Sequence, residues 1–210
     1  MSQTVTPSDC YPNKIGRILY HAMEEVLGKD DIRAVLTLAS LSGYIDSYPP
    51  DDLELRFPFS HLGKLQAALE GRYGSLGGRG ASLRIGKACF KYGLREFGAE
   101  MGVTGMAFRT LPLDERLSAG LTSLADALNR FGTPRVRLEQ NDAQFIWNTQ
   151  RCPVCWERKA DQPVCHLSVG VLQEALSWMS GGKHYKVVES QCVAAGDPSC
   201  MIVMNKQPEE

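Results

Sequence analysis

No run of more than two basic residues occurs in this 210-residue sequence, and its formal net charge is −1. Phosphate contacts supply most of the affinity for nucleic acid and require a basic stripe, so direct nucleic-acid binding is excluded. No apolar stretch reaches the ~20 residues of a membrane-spanning helix. The N-terminus lacks the basic-then-apolar pattern of a secretory signal, and the expected compartment is the cytosol. Catalytic signatures are missing as well. There is no Ser/His/Asp arrangement, no dinucleotide-binding glycine fingerprint and no pair of carboxylates at a useful spacing. The glycine-rich segment 73–80 has neither the Lys-Ser/Thr ending of a P-loop nor a strand before it, and reads as a hinge or linker.

What is present is ordinary in bulk: 43% hydrophobic and 22% charged residues, the composition of a soluble globular chain. Disorder is expected only at residues 1–9 and 207–210. The seven cysteines are an odd count. Together with a reducing compartment, this argues against a disulfide framework. Cys10 and Cys89 stand alone, whereas five cysteines crowd between positions 152 and 200.

Apolar residues from Ile15 to Leu27 recur at the three-then-one spacing of a helix with one buried stripe, and Gly28 follows as a stop. A second helix is expected over 30–44, ended by Pro49 and Pro50. A third starts at Ser60 as its cap and runs to Tyr73. A long helical stretch covers 81–100, and Gly86, Gly93 and Gly98 within it suit close approach to another helix or to a ligand. A further helix spans 113–131. The pattern then changes to alternation over 135–139 and 144–147, with Asn141-Asp142 as the turn. A helix over 167–179 and two strands over 185–189 and 201–204 complete the chain. Helices first, then two hairpins around a helix, define an α+β class: N-terminal helices packed on an antiparallel sheet, with a C-terminal hairpin.

The chemistry lies in that hairpin. Glu189, Cys192 and Cys200 fall on a strand, its turn and the start of the next strand, and Cys165 precedes the helix that packs back on them. Three thiolates and a carboxylate suit a thiolate-preferring metal such as zinc, and cannot be buried together without a cation. Cysteines acting as small buried hydrophobes would show the same spacing.

The stretch Pro163-Val164-Cys165, Gly170, Gly181 and Glu189-Ser190-Gln191-Cys192 through Gly196-Asp197-Pro198-Ser199-Cys200 resembles the vinyl-4-reductase domain. It is especially similar to that domain in bacterial phenol-responsive transcription activators. The resemblance implies a structural zinc held by Cys165, Glu189, Cys192 and Cys200 beside a hydrophobic ligand pocket. It also implies a fold similar to haem-nitric-oxide sensors and Golgi transport-complex subunits, and a homodimer. The implied organisation is one domain over 1–210, mainly helical over 10–132, with the vinyl-4-reductase core and metal site over 135–206.

Two features depart from those activators. The chain has no ATPase or DNA-binding module, and it carries Cys152-Pro153-Val154-Cys155. That pair can supply thiolates to the same metal, form a separate dithiol switch, or bind an iron–sulfur cluster. His166 and His184 flank the constellation and read as surface residues; His21 and His61 read as packing or solvent-facing. Phe145, Trp147 and Trp156 are candidates to line a pocket for a flat or oily ligand.

The expected function is a sensor or carrier for a small hydrophobic, aromatic or tetrapyrrole-like molecule. The alternatives are a redox-responsive protein using Cys152 and Cys155, and an accessory protein or reductase of (bacterio)chlorophyll synthesis. The sequence shows no nicotinamide or flavin site for a reductase, so the reading leans away from an enzyme.

Overall fold

The computed structural model describes residues 9–209. The amphipathic stripe folds as expected into α1 (Asn13–Leu27), with Leu19, Ala22 and Met23 buried. Gly28 ends it at φ 83° and donates its N–H to the Glu24 carbonyl. α2 (Lys29–Leu38) starts at once, with Asp30 and Asp31 in the first turn where the helix dipole favours acids. It stops short of the expected residue 44. Ser40 adopts φ 58°, and a 3-10 turn at Ser42–Tyr44 takes the chain away.

A short two-stranded sheet pairs β1 (Cys10–Pro12) with β2 (Leu55–Pro58), antiparallel. Neither strand is long enough to show alternation in the sequence. α3 (Phe59–Phe97) follows directly behind Pro58 with no side-chain cap, so Ser60 does not cap it. Within α3 only Gly74 leaves helical geometry, at φ 72° and ψ 172°. The glycine-rich segment is therefore helix on both sides of one hinge residue, not a linker. Its glycines serve the sharp bend: a Cβ on Gly78 would lie 2.8 Å from the Glu70 Cα.

The chain continues through α4 (Met106–Arg109) and α5 (Leu113–Phe131) into β3 (Val136–Gln140) and β4 (Gln144–Thr149). α6 (His166–Ser180), β5 (Tyr185–Gln191) and β6 (Cys200–Pro208) complete it. β6 lies between β4 and β5, giving an antiparallel sheet of order β3-β4-β6-β5. Gln207 and Pro208 belong to β6, contrary to the expected frayed tail, while the expectation for residues 1–8 lies outside the described residues. No helix among the described residues is long and apolar enough to cross a membrane.

Two apolar cores result. One joins α1, α2, the first half of α3 and the cysteine segment. The other packs α5 and α6 on the inner sheet face, through Leu117, Leu121, Leu172, Leu176, Phe145 and Ile202. α3 and α6 cross between them by a reciprocal approach. A Cβ on Gly86 would stand 2.1 Å from the Leu167 carbonyl oxygen, and one on Gly170 2.2 Å from that of Leu83.

His61 lies in the first core between the Tyr44 and Phe57 rings, with Nδ1 buried and unpartnered. Burial holds its pKa down at about 4. An unfolded histidine takes its proton near pH 6.5, so the unfolded state binds the proton first and stability falls as pH drops from about 6.5 towards 4. One proton sets a ceiling of about 1.4 kcal/mol per pH unit, reduced here because the ring is partly exposed. Denaturant unfolding of His61→Gln should show a shallower acid slope than the wild type. Equal slopes would remove His61 as the cause.

Candidate metal centre

The segment between β4 and α6 brings Cys152 and Cys155 onto the same point as the hairpin cysteines. A turn closes the Cys-x-x-Cys knuckle, with the Trp156 N–H donating to the Pro153 carbonyl and the Arg158 N–H to that of Cys155. Arg158 then pairs with Glu70 on α3 at 2.6 Å. Gly63 permits the docking, since a Cβ there would lie 2.2 Å from the Trp156 carbonyl oxygen. On the other side, β5 delivers Glu189, the turn after it delivers Cys192, and β6 begins with Cys200. The Cys192 N–H donates to Asp197 Oδ2 at 2.8 Å, and the Val193 N–H donates to Cys200 Sγ at 3.3 Å. Asp197 is a supporting residue that sequence reasoning missed, although its Gly-Asp-Pro turn was visible.

The sulfurs are mutually close. Cys165 Sγ lies 3.8 Å from Cys192 and 3.7 Å from Cys200, and Cys192 lies 3.9 Å from Cys200. Cys152 stands 3.4 Å from Cys165, and Cys155 3.4 Å from Cys200. Two sets of four donors, Cys165/Glu189/Cys192/Cys200 and Cys152/Cys155/Cys165/Cys200, each lie within 4.8 Å of one another. All five cysteines are nearly inaccessible, Cys165 and Cys192 completely. A tetrahedral thiolate site with arms of about 2.3 Å has an edge of about 3.8 Å, so the Cys165/Cys192/Cys200 triangle has the dimensions of one face of such a site.

The electrostatics require a cation. Glu189 Oε2 accepts the Cys165 N–H at 2.7 Å, but Oε1 is buried without a partner. Burial raises the Glu189 pKa to about 8. The neighbouring thiols, Cys152 foremost, pull Cys155 down by hydrogen bonding and push Cys165 up, as when one negative charge is shared among several sulfurs. Cys165 also sits at the N-terminus of α6, where the helix dipole favours thiolate. A carboxylate oxygen with no donor and a set of crowded thiols form a coordination shell that can hold a metal ion. His166 is half-buried and His184 exposed, and neither joins a donor set among the described residues.

Beside this cluster lies an apolar cavity of about 180 Å³ between the two cores. Ile15 and Leu19 of α1, Phe90 of α3, Leu128 of α5 and Trp147 of β4 contribute to its wall, and Cys152, Pro153 and Val154 of the knuckle close it. Of the aromatic candidates, Trp147 alone lines it. Phe145 packs in the sheet core under Lys206, and Trp156 packs edge-on to Phe59. The cavity also takes Tyr11 and the otherwise isolated Cys89, whose thiol burial pushes up to about 12. No sequence signal marked either, because both act by position alone.

Helices folded over an antiparallel sheet, an apolar cavity and a cysteine-rich centre at its edge place the chain among α+β domains of the ligand-binding type. Residues 146–206 match the vinyl-4-reductase domain, the same family that the cysteine motif resembles. Solved structures share the fold over nearly the whole chain. The Fe(II) unliganded H-NOX protein from K. algicida aligns with a TM-score of 0.59 at 10% identity, covering 95% of this chain and 97% of that one. The S. oneidensis H-NOX protein in its Fe(II)NO state aligns at 0.56 and 10% identity, covering 92% and 99%. The phenol-responsive sensory domain of the transcription activator PoxR, solved with phenol, aligns at 0.48 and 23% identity over 69% of this chain and 74% of that one. No curated protein matches.

Proposed function

We propose that this protein is a sensor or carrier domain for a small apolar or aromatic molecule, with a structural zinc holding the hairpin beside the ligand. The carrying observation is the cavity whose wall includes Cys152, Pro153 and Val154, the knuckle of the metal centre. A ligand in that cavity therefore touches the segment that carries metal ligands, so binding and the metal-held hairpin are mechanically linked. Size narrows the ligand class. A protein cavity of about 150 Å³ lined by Leu, Ile and Phe stays dry and accepts benzene. The 180 Å³ here fits a single-ring aromatic or a comparable hydrocarbon, and is too small to enclose a tetrapyrrole. No histidine contributes to its wall, so no imidazole is placed to bind a haem iron there.

Three thiolates and a carboxylate favour zinc. A site with four protein ligands has no open position for substrate, which supports a structural rather than catalytic role. The redox reading is weaker. Reactive thiol pairs are partly exposed, whereas Cys152 and Cys155 are 5% and 3% exposed and packed on other sulfurs.

The test is calorimetric titration with phenol, toluene and a porphyrin, followed also by Trp147 fluorescence. A single-ring compound should bind at about one per chain, as one cavity of this size allows. Leu128→Trp fills the cavity from α5 and should weaken that binding at least tenfold while leaving metal content unchanged. Binding undiminished in Leu128→Trp, or binding of the porphyrin alone, would overturn this reading.

A further inference from the structure

We infer that the cysteine cluster is a binuclear centre, with two metal ions bridged by Cys165 and Cys200. One ion is completed by Cys152 and Cys155, the other by Glu189 and Cys192. This rests on the reading of the cluster as a metal site and extends it to a second ion.

The geometry is that of two tetrahedra sharing an edge. The six donor groups do not form one set; they divide into two sets of four that have only Cys165 and Cys200 in common. Those two sulfurs stand 3.7 Å apart, close to the about 3.8 Å edge of a tetrahedral thiolate site. Cys192 touches both, at 3.8 and 3.9 Å, and Glu189 joins it with an unpartnered, buried Oε1. In the other set each knuckle sulfur touches one end of the shared edge, Cys152 against Cys165 and Cys155 against Cys200, both at 3.4 Å.

Ligand counting favours two ions over one. A tetrahedral ion takes four donors, so a single ion in the Glu189 set leaves Cys152 and Cys155 buried as bystanders against its ligands. Two ions with two bridging thiolates use every donor present. Charge points the same way. Five thiolates and one carboxylate around one dication leave a net charge of −4 in a buried space, and around two dications −2. Buried charge is stable only when it is paired. A thiolate has lone pairs enough to bind two cations, as bridging requires. Each set surrounds a single point, which fits a mononuclear tetrahedral ion; in an iron–sulfur cubane each cysteine binds a different iron and the sulfurs stand further apart.

The experiment is metal counting on the full chain, kept reduced, with cobalt(II) as a spectroscopic probe and zinc for elemental analysis. Wild type should bind two ions per chain. The cobalt spin signal should rise over the first equivalent and fall over the second, because bridging thiolates couple the two spins. Cys152→Ser with Cys155→Ser should hold one ion, and Glu189→Gln with Cys192→Ser should independently hold one. One ion in wild type and one in the Cys152/Cys155 variant would overturn the second ion and leave the single-metal reading standing. One ion in wild type and none in that variant, or none in wild type, would overturn both. Two ions whose spins do not couple would overturn the bridging.

Discussion

Cys200→Ser is expected to strip the protein of metal and to unfold its C-terminal half. Cys200 belongs to both donor sets and touches Cys155, Cys165 and Cys192. It also opens β6, the strand between β4 and β5, so disorder at this position spreads to both neighbours. Zinc binding to small finger peptides is worth on the order of 10–16 kcal/mol, while a whole domain is stable by only about 5–15 kcal/mol. Losing even part of the metal contribution approaches the total. The remaining sulfurs, Glu189 and its donor-free Oε1 would then be buried without a cation. The variant should be largely insoluble, or should melt roughly 15 °C or more lower with no zinc by elemental analysis, since each kcal/mol lost moves the melting point by about 2–4 °C in a chain of this size. A Cys200→Ser protein with wild-type melting and a full complement of metal would show that the cluster is ordinary apolar packing.

Much of this is legible in the sequence, and the reasons differ by element. The α1 stripe, the α5 helix and the two hairpins follow from hydrophobic periodicity, which reports the buried face directly. The Cys165, Glu189, Cys192 and Cys200 constellation is readable because a hairpin brings its two ends together whatever the rest of the fold does. The convergence of Cys152 and Cys155 on the same point is not, since it depends on the knuckle docking against Gly63 and Glu70 of a distant helix. The segment 73–80 misleads for a related reason. Intrinsic aversion to helix makes its glycines look like a linker, but they serve close packing around the single bend at Gly74. The cavity is foreseeable as apolar space beside the metal motif. Its wall is not, because Tyr11, Cys89 and Leu128 come from three elements with no shared periodicity.

Gly86→Ala and Gly170→Ala are expected to be among the most damaging single-methyl additions in the chain. In each case the new Cβ meets the main-chain oxygen of the opposing helix, at 2.1 Å from Leu167 and 2.2 Å from Leu83. A flexible side chain could rotate aside, but a hydrogen-bonded helical carbonyl cannot, so the helices themselves must separate. Adding a methyl to an exposed helical glycine normally stabilises by roughly 1 kcal/mol; here overpacking opposes that gain with about 1–3 kcal/mol or more. The separation is not local to the crossing. Cys165 immediately precedes α6, and Leu167 and Val171 of α6 line the cavity. Moving α6 therefore disturbs the metal ligand at its start and the ligand-binding space along its side. Each variant should unfold at lower denaturant, release zinc faster to a chelator, and bind a single-ring aromatic more weakly. Gly93→Ala, on the same helix α3 with open space around its Cβ position, is the matched control and should be neutral or stabilising. Because Gly86 and Gly170 act on one crossing, the double variant should cost less than the two single losses added together. Full additivity would mean that the two glycines relieve separate contacts, and that the crossing does not couple α3 to the metal-bearing end of α6.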